Sequence, residues 1–213
     1  MQGLVLVSVS SEFDSRRLHL FEKIARFHIV KYELCVLLKP LDVVVSIKAA
    51  VLDAPRWTIA QMAEHLEMDG AQVFRAARAA ATAGLLVADP GASRAGYSPN
   101  RAALLELVIH GLKYMMVPTR GQLTRGVPTA HAAPIMKGRL VADDESPPVW
   151  PHATGKVRGE SFEPLHRCVP GAALRDERFY AAMALVDAIR GGRARDRAIA
   201  TKLIEEVIGA KRK

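Results

Sequence analysis

The stretch from Thr58 to Tyr97 constrains the fold of this chain more than any other. Thr58 precedes an apolar-periodic run, and Gln61 follows three positions later. That is the spacing of a capping box, in which each side chain serves the other residue's backbone amide. The pattern predicts a helix over Ile59–Glu67 that buries Ile59, Met62, Ala63 and Leu66. Met68-Asp69-Gly70 reads as a turn, with Asp69 capping a second helix, Ala71–Ala83. Its inner side is read as Val73, Phe74, Ala77 and Ala80 or Ala81. Gly84 stands where a helix ends in a left-handed residue. Leu85-Leu86-Val87 then reads as a strand, Asp89-Pro90-Gly91 as a turn, and Arg94 to Tyr97 as a returning strand.

This order of elements, carried by Thr58-Ile59-x-x-Met62-Ala63-x-x-Leu66-x-Met68-Asp69, Val73 and Ala83-Gly84-Leu85-Leu86-Val87, resembles the winged helix-turn-helix module of MarR-type bacterial transcription regulators. Ala63 is small where the two helices cross, Val73 plugs the second helix onto the first, and Met68 fills the corner beneath the turn. The family often has Gly in the turn where this chain has Glu67, and a right-handed variant of the turn is expected here. The resemblance implies that Ala71–Ala83 enters the major groove of double-stranded DNA. Its outward face is expected to carry Gln72, Arg75, Ala76 and Ala79, with Arg78 at the margin. Arg75 suits guanine and Gln72 suits adenine, each by paired hydrogen bonds. Arg94 lies at the wing tip, and Arg56, Thr58 and Gln61 are candidates for backbone phosphates. The other reading of these residues is the solvated face of an amphipathic helix pair, or a winged helix that docks protein.

The flanks divide the chain into four zones. Residues 1–39 hold a helical extension, Ser15–Leu38, with an apolar stripe at Leu20, Ile24 and Phe27; Arg16–Lys39 carries a net charge of +4. Residues 40–116 contain the winged helix, led by a helix Leu41–Asp53 with Leu41, Val44, Val45, Ile47, Lys48 and Val51 inside. A helix Arg101–Met116, capped by Asn100, closes this zone. Residues 117–170 hold eight of the chain's twelve prolines, which argues against long helices and central strands and for an extended, ordered wrap. Residues 171–213 read as a helical hairpin hinged at Gly191-Gly192. The expected fold class is mainly α, with a small β-wing. The N-terminal helix and the last helix pair are candidates for a homodimer interface, since one recognition helix reads few base pairs. Their stripes serve equally well as intrachain core.

Arg120-Gly121-Gln122-Leu123-Thr124-Arg125-Gly126-Val127-Pro128-Thr129 is a candidate anion-binding loop through Arg120 and Arg125. The alternative is a surface loop whose arginines pair with nearby carboxylates. With Pro147-Pro148-Val149-Trp150-Pro151, this segment is similar to a family of predicted bacterial regulators linked to defence or toxin–antitoxin operons. Thirty basic residues against 22 acidic ones, a net charge of +8, favour an anionic partner, nucleic acid first. Two cysteines, Cys35 and Cys168, give no disulfide framework and fit a reducing cytoplasm. The longest apolar stretch, Cys35–Ile47, is broken by Lys39, Pro40 and Asp42, so no membrane span is expected. No phosphate loop or catalytic signature is found, and no cofactor or catalytic residue is assigned. His166-x-Cys168, with His131 and His152, has metal-ligand residue types at irregular gaps and is read as an ordinary half-buried set. The expected function is a dimeric repressor acting at its own operon by steric exclusion. The alternative is an adaptor or antitoxin-type protein that binds a partner through its winged helix and C-terminal helices.

Overall fold

Pro40 opens the first helix of the described residues, where its missing amide has no partner to lose. The computed structural model describes residues 38–52, 57–88, 96–139 and 146–209. The expected N-terminal helix, Cys35, the Asp89-Pro90-Gly91 turn, Arg56 and Arg94 lie outside the described residues.

Helix α1 (Pro40–Val51) starts with the Asp42 carboxylate accepting from the Lys39 amide at 2.8 Å. The sequence suggests one inner face, but every residue from Asp42 to Val51 is buried. A helix apolar all round belongs inside a protein, and α1 packs against helices on two sides. Lys48, 2% exposed, reaches the Asp176 carboxylate at 2.6 Å.

Helices α2 (Ile59–Leu66) and α3 (Gly70–Thr82) follow, then an antiparallel pair, β1 (Leu86–Ala88) and β2 (Tyr97–Pro99). Trp57, just before α2, bridges to Tyr97 and stacks on its ring at 5.7 Å, so the start of α2 is tied to β2. Asn100 links β1 to the next helix. Its amide group donates to the Gly84 carbonyl at 2.9 Å while its side-chain oxygen accepts from Ala103.

The expected helix over 101–116 forms in three pieces. They are α4 (Arg101–Glu106), a π-turn (Leu107–Gly111) and α5 (Leu112–Met115).

The proline-rich zone departs from expectation. It contains strands β3 (Arg120–Pro128), β4 (Pro148–Pro151) and β5 (Val157–Phe162), which close on one another. β3 pairs antiparallel with both β4 and β5, and β4 pairs parallel with β5. The prolines are accommodated because Pro128, Pro148 and Pro151 sit at strand ends, where a missing amide removes little pairing. Glycine permits the closure. A Cβ on Gly126 or Gly159 would collide with the backbone of Trp150 or Pro147.

Short helix α6 (Val169–Ala173) leads into α7 (Glu177–Gly191) and α8 (Ala194–Gly209), with the hairpin turning at Gly192. α7 is buried from Ala182 to Arg190 within this one chain, so its apolar residues are intrachain core and offer no dimer interface. One core joins α1–α5, the strands and α6–α8, and the expected boundaries near 116 and 170 do not divide it.

At its centre lies a buried polar cluster. The Asp187 carboxylate, 0% exposed, accepts from Thr129 Oγ1 at 2.9 Å and Trp150 Nε1 at 2.5 Å through one oxygen. Its other oxygen accepts from Arg190 Nε at 2.9 Å and Nη2 at 2.8 Å. Arg190 also donates to the carbonyls of Met116 and Glu163, at 3.2 and 2.7 Å. Burial pushes the Asp187 carboxyl above its ordinary range, and Arg190, Thr129 and Trp150 act against that push.

Candidate nucleic-acid interface

The two helix starts that frame α3 are capped by their own side chains. Thr58 N donates to Gln61 Oε1 at 2.9 Å, and Gln61 N donates to Thr58 Oγ1 at 3.2 Å. The capping box forms as the spacing predicts, and both residues stay exposed. Asp69 Oδ1 accepts from the amides of Ala71 and Gln72 at 2.9 and 3.2 Å, fixing the first turn of α3.

Glu67 is a correction. It takes the left-handed conformation (φ 50°) that a Gly would adopt, not the right-handed one expected of Glu. Tertiary packing overrides the local preference: Leu66 and Met62 are fully buried on one side of the turn and Val73 on the other. The Glu67 carboxylate meets Arg175 at the surface. At the far end of α3, Gly84 is left-handed (φ 76°). Leu85 N donates to Ala80 O at 2.9 Å and Gly84 N to Ala81 O at 3.0 Å. This double bond pattern stops the helix and turns the chain into β1.

Successive residues of a helix are separated by about 100°. Val73, Ala76, Ala77 and Ala80 therefore share the side that meets the core. Two expectations change. Ala76 lies inward at 3% exposure, and Phe74 lies outward at 40%. The reason is that α1 packs against the alanine side of α3, where Ala76, Ala77 and Ala80 allow close approach. Arg75 and Arg78 are exposed among the described residues, and Gln72 and Ala79 are half-buried beside them. The Arg78 guanidinium sits over the Phe74 ring, 5.8 Å from its centroid. The outward face thus offers two guanidinium groups, an aromatic edge and one amide.

Arg120 and Arg125 occupy β3, not a loop. Arg120 is engaged within the protein: its guanidinium reaches Glu160 at 2.6 Å and the Gly191 carbonyl at 3.0 Å, over the Phe162 ring. Among the described residues the Arg125 side chain has no such partner, and Arg125 stands directly opposite Arg158 of β5. Arg158 went unread in the sequence because the prolines concealed the alternating strand Val157–Phe162. The signal was present but short in Val157-Arg158-Gly159-Glu160, where charged side chains alternate with Val157 and Gly159 before Ser161 and Phe162 break the pattern.

A cleft of about 800 Å³ opens between α1, the α2–α3 turn and the α6–α7 segment. Lys48, Glu64, His65, Glu67, Arg175 and Asp176 line it. Its charges are partly spent in the Lys48–Asp176 and Arg175–Glu67 pairs. His166 Nδ1 lies 3.1 Å from Cys168 Sγ. Burial holds the His166 imidazole below its usual range, aided by Arg167, and pushes the Cys168 thiol up to about 11. That thiol is protonated at neutral pH. Among the described residues no group of three His, Cys, Asp or Glu is placed to hold a metal ion, and no helix is long and apolar enough to cross a membrane.

Comparison with protein-family models, curated proteins and solved structures finds no match to this chain.

Proposed function

We propose that the chain is a sequence-specific DNA-binding transcription regulator whose α1–α3 and β1–β2 act as a winged helix-turn-helix. The observation that carries this reading is the exposure, among the described residues, of Arg75 and Arg78 on the outward side of α3, a helix capped at both ends. Support also comes from the order of three helices followed by an antiparallel strand pair, and from the net charge of +8. In this reading α3 lies in the major groove of double-stranded DNA. Arg75 reads guanine, Gln72 reads adenine from the flank, and Arg78 holds Phe74 against the groove wall. Thr58 and Gln61 stand at the backbone, where the Gln61 NH₂ is the donor the capping box leaves over. Two copies bind one operator, and the complex excludes polymerase from the chain's own promoter.

The test is fluorescence anisotropy on a labelled duplex from the region upstream of the coding sequence, at several salt concentrations. A salt-steep, sequence-selective complex is expected. Arg75→Ala is expected to weaken it by about 1–3 kcal/mol and to relax preference at one base step. An Arg75→Ala protein that binds its operator unchanged refutes the assignment of α3.

One observation favours the adaptor reading. Tyr114, Met115 and Val117, 75%, 51% and 70% exposed, present apolar surface together at the end of α5. Recovery of a stoichiometric protein partner after nuclease treatment, lost in Tyr114→Ala, would support it.

A further inference from the structure

The β3–β5 ribbon places two arginines face to face. Arg125 and Arg158 are directly paired in the antiparallel register, so their side chains leave the same side of the ribbon. Both are exposed. Like charges in directly opposed positions destabilise a sheet, so a folded chain gains nothing from this pairing by itself. The carboxylate nearest in register is Glu160, opposite Leu123 on that same side, and it is held by Arg120. Among the described residues neither the Arg125 nor the Arg158 side chain has a hydrogen bond or ion pair. Lys156, also exposed, precedes β5 next to them. The opposite side of the ribbon carries Gly126 and Gly159, which are closed against β4. Among the described residues the side of the ribbon that carries Arg125, Arg158 and Lys156 is therefore exposed and cationic at that end, while toward Phe162, fully buried, it closes against the core. It is also rigid, because β3 leads into Thr129, β4 carries Trp150 and β5 leads to the Glu163 carbonyl, all held by Asp187 and Arg190.

We infer that this face is a second anion site, in which Arg125 and Arg158 together grip the phosphodiester backbone of a nucleic acid. Two adjacent guanidinium groups offer paired donors to the non-bridging oxygens of a phosphate, and the bound anion relieves their mutual repulsion. The contact carries no sequence information. It deepens the DNA-binding reading by adding a backbone clamp remote in sequence from α3, but it stands on a different set of residues.

The experiment measures binding of the full chain to a random-sequence duplex across a salt series. It compares the wild type, Arg125→Ala/Arg158→Ala and Arg75→Ala. The double variant is expected to lower the slope of log affinity against log salt by about two and to weaken every duplex alike. Its unfolding midpoint is expected to stay level or rise, since repulsion is removed, which separates lost binding from misfolding. A double variant that binds as the wild type overturns this inference and leaves the α3 reading intact. A double variant that loses binding, in a protein that selects no preferred sequence from random DNA, upholds the clamp and refutes the regulator. A wild type that binds neither duplex nor single strands, and instead binds polyglutamate through these arginines, overturns both readings.

Discussion

Replacing Asp187 by Asn tests whether the buried cluster holds the fold together. The two side chains have nearly the same shape, so the effect isolates charge and hydrogen-bonding direction. In the native cluster both carboxylate oxygens only accept, one from Thr129 and Trp150 and the other from Arg190. An amide must turn its NH₂ toward one of these donor sets. If it faces Arg190, a buried guanidinium whose side chain is 3% exposed loses its counter-charge. If it faces Trp150, an indole N–H has no acceptor. Breaking a buried pair by removing one partner typically costs about 3–5 kcal/mol. For a domain of this size, with stability on the order of 5–15 kcal/mol, that is about a fifth or more of the total. The thermal midpoint should fall by about 6–20 °C. Urea unfolding followed by tryptophan fluorescence reads the effect directly, because Trp150 is in the cluster. A loss below about 1 kcal/mol would refute the reasoning. Arg190→Met supplies a second signature. It leaves Asp187 buried without its cation, so the carboxyl pKa rises further above the unfolded value. The folded state then takes up a proton as pH falls, and the deficit against wild type should shrink between pH 7 and pH 5.

Three further outcomes follow from local geometry. Gly84→Ala should destabilise by about 1 kcal/mol in urea unfolding; no atom lies within 4 Å of the added Cβ, so the loss reports the left-handed backbone alone. Glu67→Gly should be neutral or stabilising by up to about 1 kcal/mol, since it relieves the same conformation and gives up only a surface ion pair. Asp176 is raised by burial, but its bond with Lys48 and the Phe179 amide outweigh this and hold its pKa below the usual value. Its contribution is therefore present above about pH 4 and is lost as acid protonates the carboxylate. Lys48→Met should flatten that acid limb in unfolding midpoints measured from pH 6 to pH 3.

The helices around α3 were legible in the sequence because their signals are local. Thr58 with Gln61, Asp69 and Gly84 each act within a few residues, and each forms the cap its type implies. The rotation of α3 was misread by one position at Phe74 and Ala76. Six alanines among thirteen residues leave the hydrophobic stripe faint, and only the approach of α1 decides which alanines are covered. The small barrel was hidden for another reason. Its pairings join residues some 20 to 40 positions apart, and its prolines and glycines imitate a coil until the strand ends they occupy are known. The Asp187–Arg190 pair was invisible as a cluster. An acid and a base three residues apart usually mark a helix surface, and here they mark its most enclosed point. Of the candidate interface, Arg75 and Arg78 were found by helical spacing, while Arg158 needed the ladder.

Synthesis on the ribosome runs from the first residue to the last, and this gives the late position of α7 a consequence. The carbonyl of Met116, the hydroxyl of Thr129, the indole of Trp150 and the carbonyl of Glu163 all belong to segments made before Asp187 and Arg190. During elongation the three strands emerge without the side chains that anchor them, and the large apolar rings of Trp150 and Phe162 have nothing to close over them. A premature stop upstream of Asp187 would therefore strand the barrel segment as well as delete the hairpin, leaving a nascent product fit for chaperones and proteases.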